Sequence, residues 1–154
     1  YQSLHYHAIT TVYLRYAQAV KLPAPLTGFF DGAAQWVLHR GALGLPDNEV
    51  AVVISVSDYT EARKDKDLAE KIHADIKRIC PDLGTPEAVR IITEKRATTA
   101  ATVDFVQPDF SWLHHRRIYP AGDYLHPRYP ATLEAAVQSG FAAAEKLMLD
   151  LRVE

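Results

Sequence analysis

The apolar pattern predicts an α+β fold: a mixed β-sheet with elements in the order β-β-β-α-β-β-α, ending in a long C-terminal helix. Three stretches carry this expectation. Residues 50–57, VAVVISVS, put Val50, Val52, Ile54 and Val56 on one face and Ala51, Val53, Ser55 and Ser57 on the other, as a central, covered strand would. Leu68, Ile72, Ile76 and Ile79 recur at helical spacing. Residues 130–149 form a run rich in small, helix-compatible residues, opened by Pro130.

Along the chain, β-branched and aromatic residues dominate 8–16, AITTVYLRY, and predict the first strand. Val12, Leu14 and Tyr16 share one face; Thr11, Tyr13 and Arg15 share the other. Pro23 and Pro25 interrupt the pattern. Asp31-Gly32 is a hairpin turn signal. Residues 35–39, QWVLH, predict the second strand and 50–57 the third. Residues 58–66 are charged and turn-like. The helix through Leu68 and Ile79 stops at Pro81 and Gly84. Residues 89–98 predict the fourth strand, and the strand–helix–strand spacing allows a right-handed crossover and a parallel pair. Residues 101–115 are irregular, and 117–121 predict a short fifth strand.

The 154 residues suffice for a domain with a core of its own. Apolar residues make up 48% and charged residues 23%, the balance of a soluble globular protein. A net charge of −2 provides no electrostatic basis for binding nucleic acid or an anionic membrane. Cys80 is the only cysteine, which rules out an intrachain disulfide and fits a reducing, cytoplasmic compartment. No apolar run approaches the roughly 18 residues of a membrane-spanning helix. The opening YQSLHYHA lacks the basic and apolar regions of a signal peptide. The chain starts at Tyr1 rather than Met, as expected of a piece of a longer protein.

The seven histidines are scattered, with no pair at four-residue helical spacing, so no metal site is expected. His114-His115-Arg116-Arg117 is a short basic patch, expected to be a solvated approach to a strand. The stronger candidate lies in 118–149. Gly122 permits close backbone approach, and Asp123 can accept hydrogen bonds from sugar hydroxyls. Thr132, Ala136, Gly140 and Ala144 lie four apart on one helix face, flanked by Ala135, Ser139 and Ala143. A flat partner, a sheet or a cofactor ring, could approach that face. Gly140 costs about 1 kcal/mol relative to Ala, and close packing would compensate. With Pro130 opening the helix, the N–H groups of Ala131, Thr132 and Leu133 are available to an electronegative ligand atom. Leu133, Val137 and Phe141 point elsewhere and are expected to anchor a core. From the residues alone, two readings stand: a tight turn followed by a sheet-packing helix, or a cofactor contact.

Ala121-Gly122-Asp123-Tyr124 and then Tyr129-Pro130-Ala131-Thr132-Leu133-Glu134, continuing through Gly140, resemble the C-terminal FAD-binding segment of flavin-containing amine oxidases and phytoene desaturases. Upstream, Thr11 to Tyr16, Asp31 to Trp36 and Val52 to Ser55 resemble the squalene-associated branch, the hydroxysqualene dehydroxylases of hopanoid synthesis. The resemblance covers nearly the whole chain. It implies that Gly122 and Asp123 lie against the ribityl and pyrophosphate part of FAD. It also implies that Pro130, Ala131, Thr132 and Leu133 place the helix start near the flavin pyrimidine edge. Relatives often have Gly where Ala135 stands, an acidic residue where His39 stands and a small residue where Arg128 stands. Glu134 matches the motif without a role that the resemblance assigns.

No G-x-G-x-x-G fingerprint occurs in these residues. In the family it lies near the start of a considerably longer protein. The chain is therefore expected to be the C-terminal portion of a two-domain FAD oxidoreductase. Residues 1–115 would be a substrate-domain-like sheet and helix, and 116–154 the returning strand and helix of the FAD-binding domain. The expected substrate is a polyprenoid such as hydroxysqualene, squalene or a phytoene-like compound, with Tyr13 and Trp36 lining its channel. The resemblance names no catalytic residue. The fragment alone is expected to be inactive and to bind FAD poorly, its partner being the rest of the same protein. Peripheral membrane contact of the whole protein and dimerisation of the fragment are further expectations. Two alternatives remain: an amine oxidase-type flavoenzyme and a cofactor-free α+β interaction module.

Overall fold

The computed structural model describes residues 5–57, 66–103, 106, 109–126 and 128–152. The expected charged turn at 58–66 lies, but for its last residue, outside these residues. The chain divides into two compact units, one of residues 6–97 and one of residues 1–5 with 98–154. No described helix is long and apolar enough to cross a membrane.

The first unit is built on a five-stranded sheet. Its strands are β1 (Tyr6–Arg15), β2 (Leu26–Gly28), β3 (Trp36–His39), β4 (Glu49–Ile54) and β5 (Ala88–Thr99), in the spatial order β2-β3-β4-β1-β5. Helix α1 (Leu68–Lys77) connects β4 to β5. The pairs β2–β3, β3–β4 and β4–β1 are antiparallel. β5 also runs against β1: Glu87 N–H donates to Arg15 O at 2.7 Å, while Thr10 and Thr93 hydroxyls meet at 2.9 Å.

The expected mixed sheet with a parallel pair is therefore corrected. β4 and β5 do share a direction, but β1 lies between them, and every ladder is antiparallel. The crossover through α1 passes over one strand, a position that α1's length alone does not specify.

Strand alternation sets the core. Val12 and Leu14 from β1, Val50, Val52 and Ile54 from β4 and Val37 from β3 are buried on one face. Leu68, Ile72 and Ile76 of α1 complete the same cluster, with Tyr16 and Leu83. Burying each such aliphatic side chain is worth about 1.5–3 kcal/mol. β4 stops at Ile54, short of the expected end at Ser57. Val56 adopts φ 54, a conformation unfavourable for a β-branched residue, and turns the chain. Ser57 is thereby buried, its hydroxyl accepting from Thr10 at 3.0 Å.

The Asp31-Gly32 signal marks a real hairpin between β2 and β3, although β2 itself is too short to show as a pattern. Gly32 sits at φ 91. The loop is pinned from α1: the Asp75 carboxylate accepts from Ala33 N–H at 2.7 Å and Ala34 N–H at 2.9 Å. A Cβ on Gly32 would stand 2.4 Å from that carboxylate. Just past α1, the half-buried Cys80 thiol donates to Lys21 O at 3.2 Å. Burial pushes its pKa up, so it is not a poised thiolate.

Candidate functional site

The candidate site lies in the second unit. A 3-10 turn at Ser111–Arg116 is opened by Asp109, whose carboxylate accepts from Ser111 N–H at 2.8 Å and from the Ser111 hydroxyl at 3.1 Å. These bonds hold the Asp109 carboxyl below its ordinary range. Arg117 then takes a left-handed φ of 56, and Ile118 N–H donates back to Leu113 O at 3.1 Å.

The expected short strand at 117–121 does not form. Its first amides bond to the turn before it rather than to a ladder: Arg117 N–H donates to His114 O at 2.8 Å and Ile118 N–H to Leu113 O at 3.1 Å.

The second helix, α2, runs over Leu133–Arg152 and not from Pro130. The reason lies in the cap. Thr132 Oγ1 accepts from Ala135 N–H at 3.1 Å and donates to Tyr129 O at 2.9 Å, which makes Thr132 the N-cap. Ala131 just before it is held at φ 61. The first-turn amides are therefore those of Leu133, Glu134 and Ala135, and the Thr132 side chain takes the last of these. Of the amides expected from sequence, Ala131's lies before the cap, and those of Thr132 and Leu133 are left without an intrahelical partner.

The loop between the turn and the helix is folded onto α2. A short 3-10 turn at Asp123–Leu125 packs on it. Ser139 Oγ bridges Gly122 N–H and Ala136 O. His126 accepts at Nδ1 from the N–H groups of Arg128 and Tyr129, at 3.2 and 3.3 Å. With Nδ1 an acceptor, Nε2 carries the proton and donates to Gln138 Oε1 at 3.0 Å. The Tyr129 ring stacks on His126 at 3.9 Å, and its hydroxyl also reaches Gln138. Glu134 in turn accepts from the Gln138 amide. His126, one of the scattered histidines, and Glu134, to which the resemblance assigns no role, are thus joined through Gln138. The four-residue step from Glu134 to Gln138 was the signal available.

Near the far end of α2, Tyr119 donates to Asp150 at 2.9 Å, and Lys146 pairs with the same carboxylate. The Lys146 hydrogen bond, then that of Tyr119, hold the Asp150 carboxyl below its usual range.

The structure sorts the expected site residues. Gly122 is accounted for within the turn: its N–H bonds Ser139, its C=O accepts from Leu125, and a Cβ would stand 2.3 Å from the Tyr124 ring. Asp123 is half-buried, and its carboxylate has no hydrogen-bond or ion-pair partner among the described residues. Ala135, Ser139 and Ala143 form the face turned to the loop, where a cavity of about 360 Å³ remains between Ser139, Ala143, Tyr119, Pro120 and Leu125. The expected contact row Thr132–Ala136–Gly140–Ala144 is displaced from that face. A Cβ on Gly140 would meet nothing within 4 Å, so close packing does not offset that glycine here. Leu133, Val137 and Phe141, expected in a core, are exposed at 89, 55 and 68%.

The substrate candidates Tyr13 and Trp36 lie in the first unit, both on the sheet face opposite the core. Trp36 pairs with Val53 beside Thr11; Tyr13 pairs with Ala51 beside Leu38. Trp36 is 48% exposed. The Arg40 guanidinium sits over the Tyr13 ring at 5.4 Å.

A capped helix start and, in the same unit, a carboxylate without a partner among the described residues fit a ligand bearing both hydroxyl and electronegative groups, as FAD does. Asp123 would accept from hydroxyls, and the amides of Leu133 and Glu134 would donate.

The chain resembles known proteins along nearly its full length. It is 32% identical over 147 residues to the hydroxysqualene dehydroxylase of Rhodopseudomonas palustris, covering 93% of this chain and 33% of the relative. It is 26% identical over 149 residues to the hydroxysqualene dehydroxylase of Zymomonas mobilis, covering 91% and 32%. A solved structure from Exiguobacterium, provisionally named a protoporphyrinogen oxidase, superimposes with a TM-score of 0.62 at 16% identity, over 94% of this chain and 36% of that one. At that identity the likeness shows the fold alone. The chain thus spans about a third of the length of each. The family model for flavin-containing amine oxidoreductases matches residues 1–148. The chain belongs to the flavin-containing amine oxidoreductase family.

Proposed function

We propose that residues 118–140 form one wall of the FAD site of an oxidoreductase acting on a polyprenoid. The observation that carries this reading is Asp123. Its half-buried carboxylate has no partner among the described residues, so its oxygens are open to a ligand's hydroxyls. Within the wall, Asp123 orients sugar hydroxyls. Pro130 and the left-handed Ala131 set the entry angle of α2, Thr132 caps it, and the Leu133 and Glu134 amides face electronegative atoms with the helix dipole behind them. FAD supplies the redox chemistry when bound. The remaining wall would come from a dinucleotide-binding fold outside these 154 residues.

The polyprenoid substrate is supported by the names of the two curated relatives and by the sheet face bearing Trp36, Leu38, Val53 and Tyr13. On it, Trp36 and Tyr13 offer flat apolar surface to an isoprenoid chain.

The test is flavin retention by the full-length protein. Asp123→Ala should weaken FAD binding by about tenfold, the loss expected for a hydrogen bond to a charged acceptor, while thermal unfolding of the apoprotein stays unchanged. Full retention of flavin by the variant would remove the assignment.

A further inference from the structure

At the end of the sheet where β1 finishes and β5 begins, a cavity of about 520 Å³ opens on the face opposite the core. Its polar lining is three arginines, Arg15, Arg40 and Arg90, against one acid, Glu49. Its apolar wall includes Tyr13 and Ile92. All of them belong to the sheet unit.

The charges are not balanced among the described residues. Glu49 accepts from Arg40 at 2.6 Å, and Arg40 also covers the Tyr13 ring. That pair is self-contained. Arg15 and Arg90 have no hydrogen-bond or ion-pair partner among the described residues. Two unpaired guanidinium groups thus line one cavity in a chain whose net charge is −2. Like charges held in one concave site raise the local potential and attract a counter-ion. Guanidinium forks match the oxygens of phosphate or carboxylate, donating two parallel N–H bonds. An inorganic anion would use only part of the space. The volume lies within the range of small-molecule sites, and Tyr13 and Ile92 provide an apolar strip beside the cations.

We propose that this cavity binds an anionic amphiphile, its phosphate-type head held by Arg15 and Arg90 and its hydrocarbon tail laid along Tyr13 and Ile92. The site is separate from Asp123 and the start of α2, and it does not depend on the flavin reading. The head group could be carried by a free small molecule or by a lipid in a bilayer, and the chemistry of recognition is the same.

The probes are dodecyl phosphate below its micelle threshold, neutral dodecyl maltoside, and vesicles of phosphatidylglycerol or phosphatidylcholine, each titrated into the full-length protein. Dodecyl phosphate should bind one per chain. The double variant Arg15→Gln/Arg90→Gln should weaken it roughly tenfold per arginine, and Arg15→Lys/Arg90→Lys should lose less. Arg78→Gln, which removes one such charge away from the cavity, should leave binding unchanged. Binding only to phosphatidylglycerol vesicles, lost in the same double variant, assigns the head group to a lipid. Undiminished binding by the double variant, equal binding of dodecyl maltoside, or no binding to any anionic probe would overturn the proposal. Bound flavin in the double variant should equal that of the wild type, which keeps this test apart from that of Asp123.

Discussion

Ala8, Thr10, Val12, Leu14 and Tyr16, alternate residues of one strand and its exit, are all buried, whereas α2 buries only Ala135 in twenty residues. The two units differ in what holds their secondary structure. In the sheet unit, the apolar stripe of α1 meets the apolar face of β1, β3 and β4, and tertiary burial stabilises both. In the second unit, α2 carries an apolar stripe through Leu133, Val137, Phe141 and Met148 that is exposed along its length. Its order rests on local terms (the Thr132 cap, the Glu134–Gln138 contact and the Lys146–Asp150 pair) and on polar contacts from the preceding loop rather than on apolar burial. Carboxylates show the same contrast. Asp75 accepts two backbone N–H groups within the sheet unit, and the Asp123 carboxylate accepts none among the described residues.

The largest effect should come from the core. Ile72→Ala in this 154-residue chain should cost about 2–5 kcal/mol in urea unfolding, whereas Phe141→Ala should cost almost nothing. Equal losses would erase the contrast between the two helices. Next, Asp75→Ala leaves the Ala33 and Ala34 amides unpaired and should cost about 2 kcal/mol, while Asp123→Ala should leave stability unchanged.

The smallest effect is a pH dependence confined to the sheet unit. The His73 ring shares a 3.1 Å hydrogen bond with the Tyr16 hydroxyl. Burial, then the charge of Lys77, holds His73 below the usual 6.5. On acidification the unfolded chain therefore takes up this proton before the folded one. The contribution of His73 is complete above about pH 6.5 and is lost as pH falls through its lower folded pKa. The fall in Tm between about pH 7 and 5 should be shallower in His73→Gln, and an unchanged slope would show that the ring is not desolvated.

Much of the sheet unit is legible in its residues. The alternation of Val12 and Leu14, the run from Val50 to Ile54 and the stripe of Leu68, Ile72 and Ile76 each mark an element and its buried face. β2 is not legible, because three residues are too few to establish a period. The second unit is less legible. Residues 117–121 have strand-like composition, but a strand exists only where a neighbour pairs with it. Pro130 suggests a helix start, but the hydroxyl of Thr132 moves it to Leu133. Tyr13 suggests an apolar channel wall, and only the fold brings Arg15, Arg40 and Arg90 around it from three separate strands and turns.

By itself the sequence determined the α+β class, the amphipathic α1, the Asp-Gly hairpin and the Gly122-Asp123 turn ahead of a small-residue helix. All of these follow from interactions between residues close in the chain, or from the period at which apolar residues recur. The placement of β1 between β4 and β5, the antiparallel character of every ladder, the rotation of α2 onto Ala135, Ser139 and Ala143, and the isolation of the Asp123 carboxylate were decided only by tertiary structure. Each depends on which distant segment supplies the hydrogen bond or covers the surface, and periodicity carries no information about that partner.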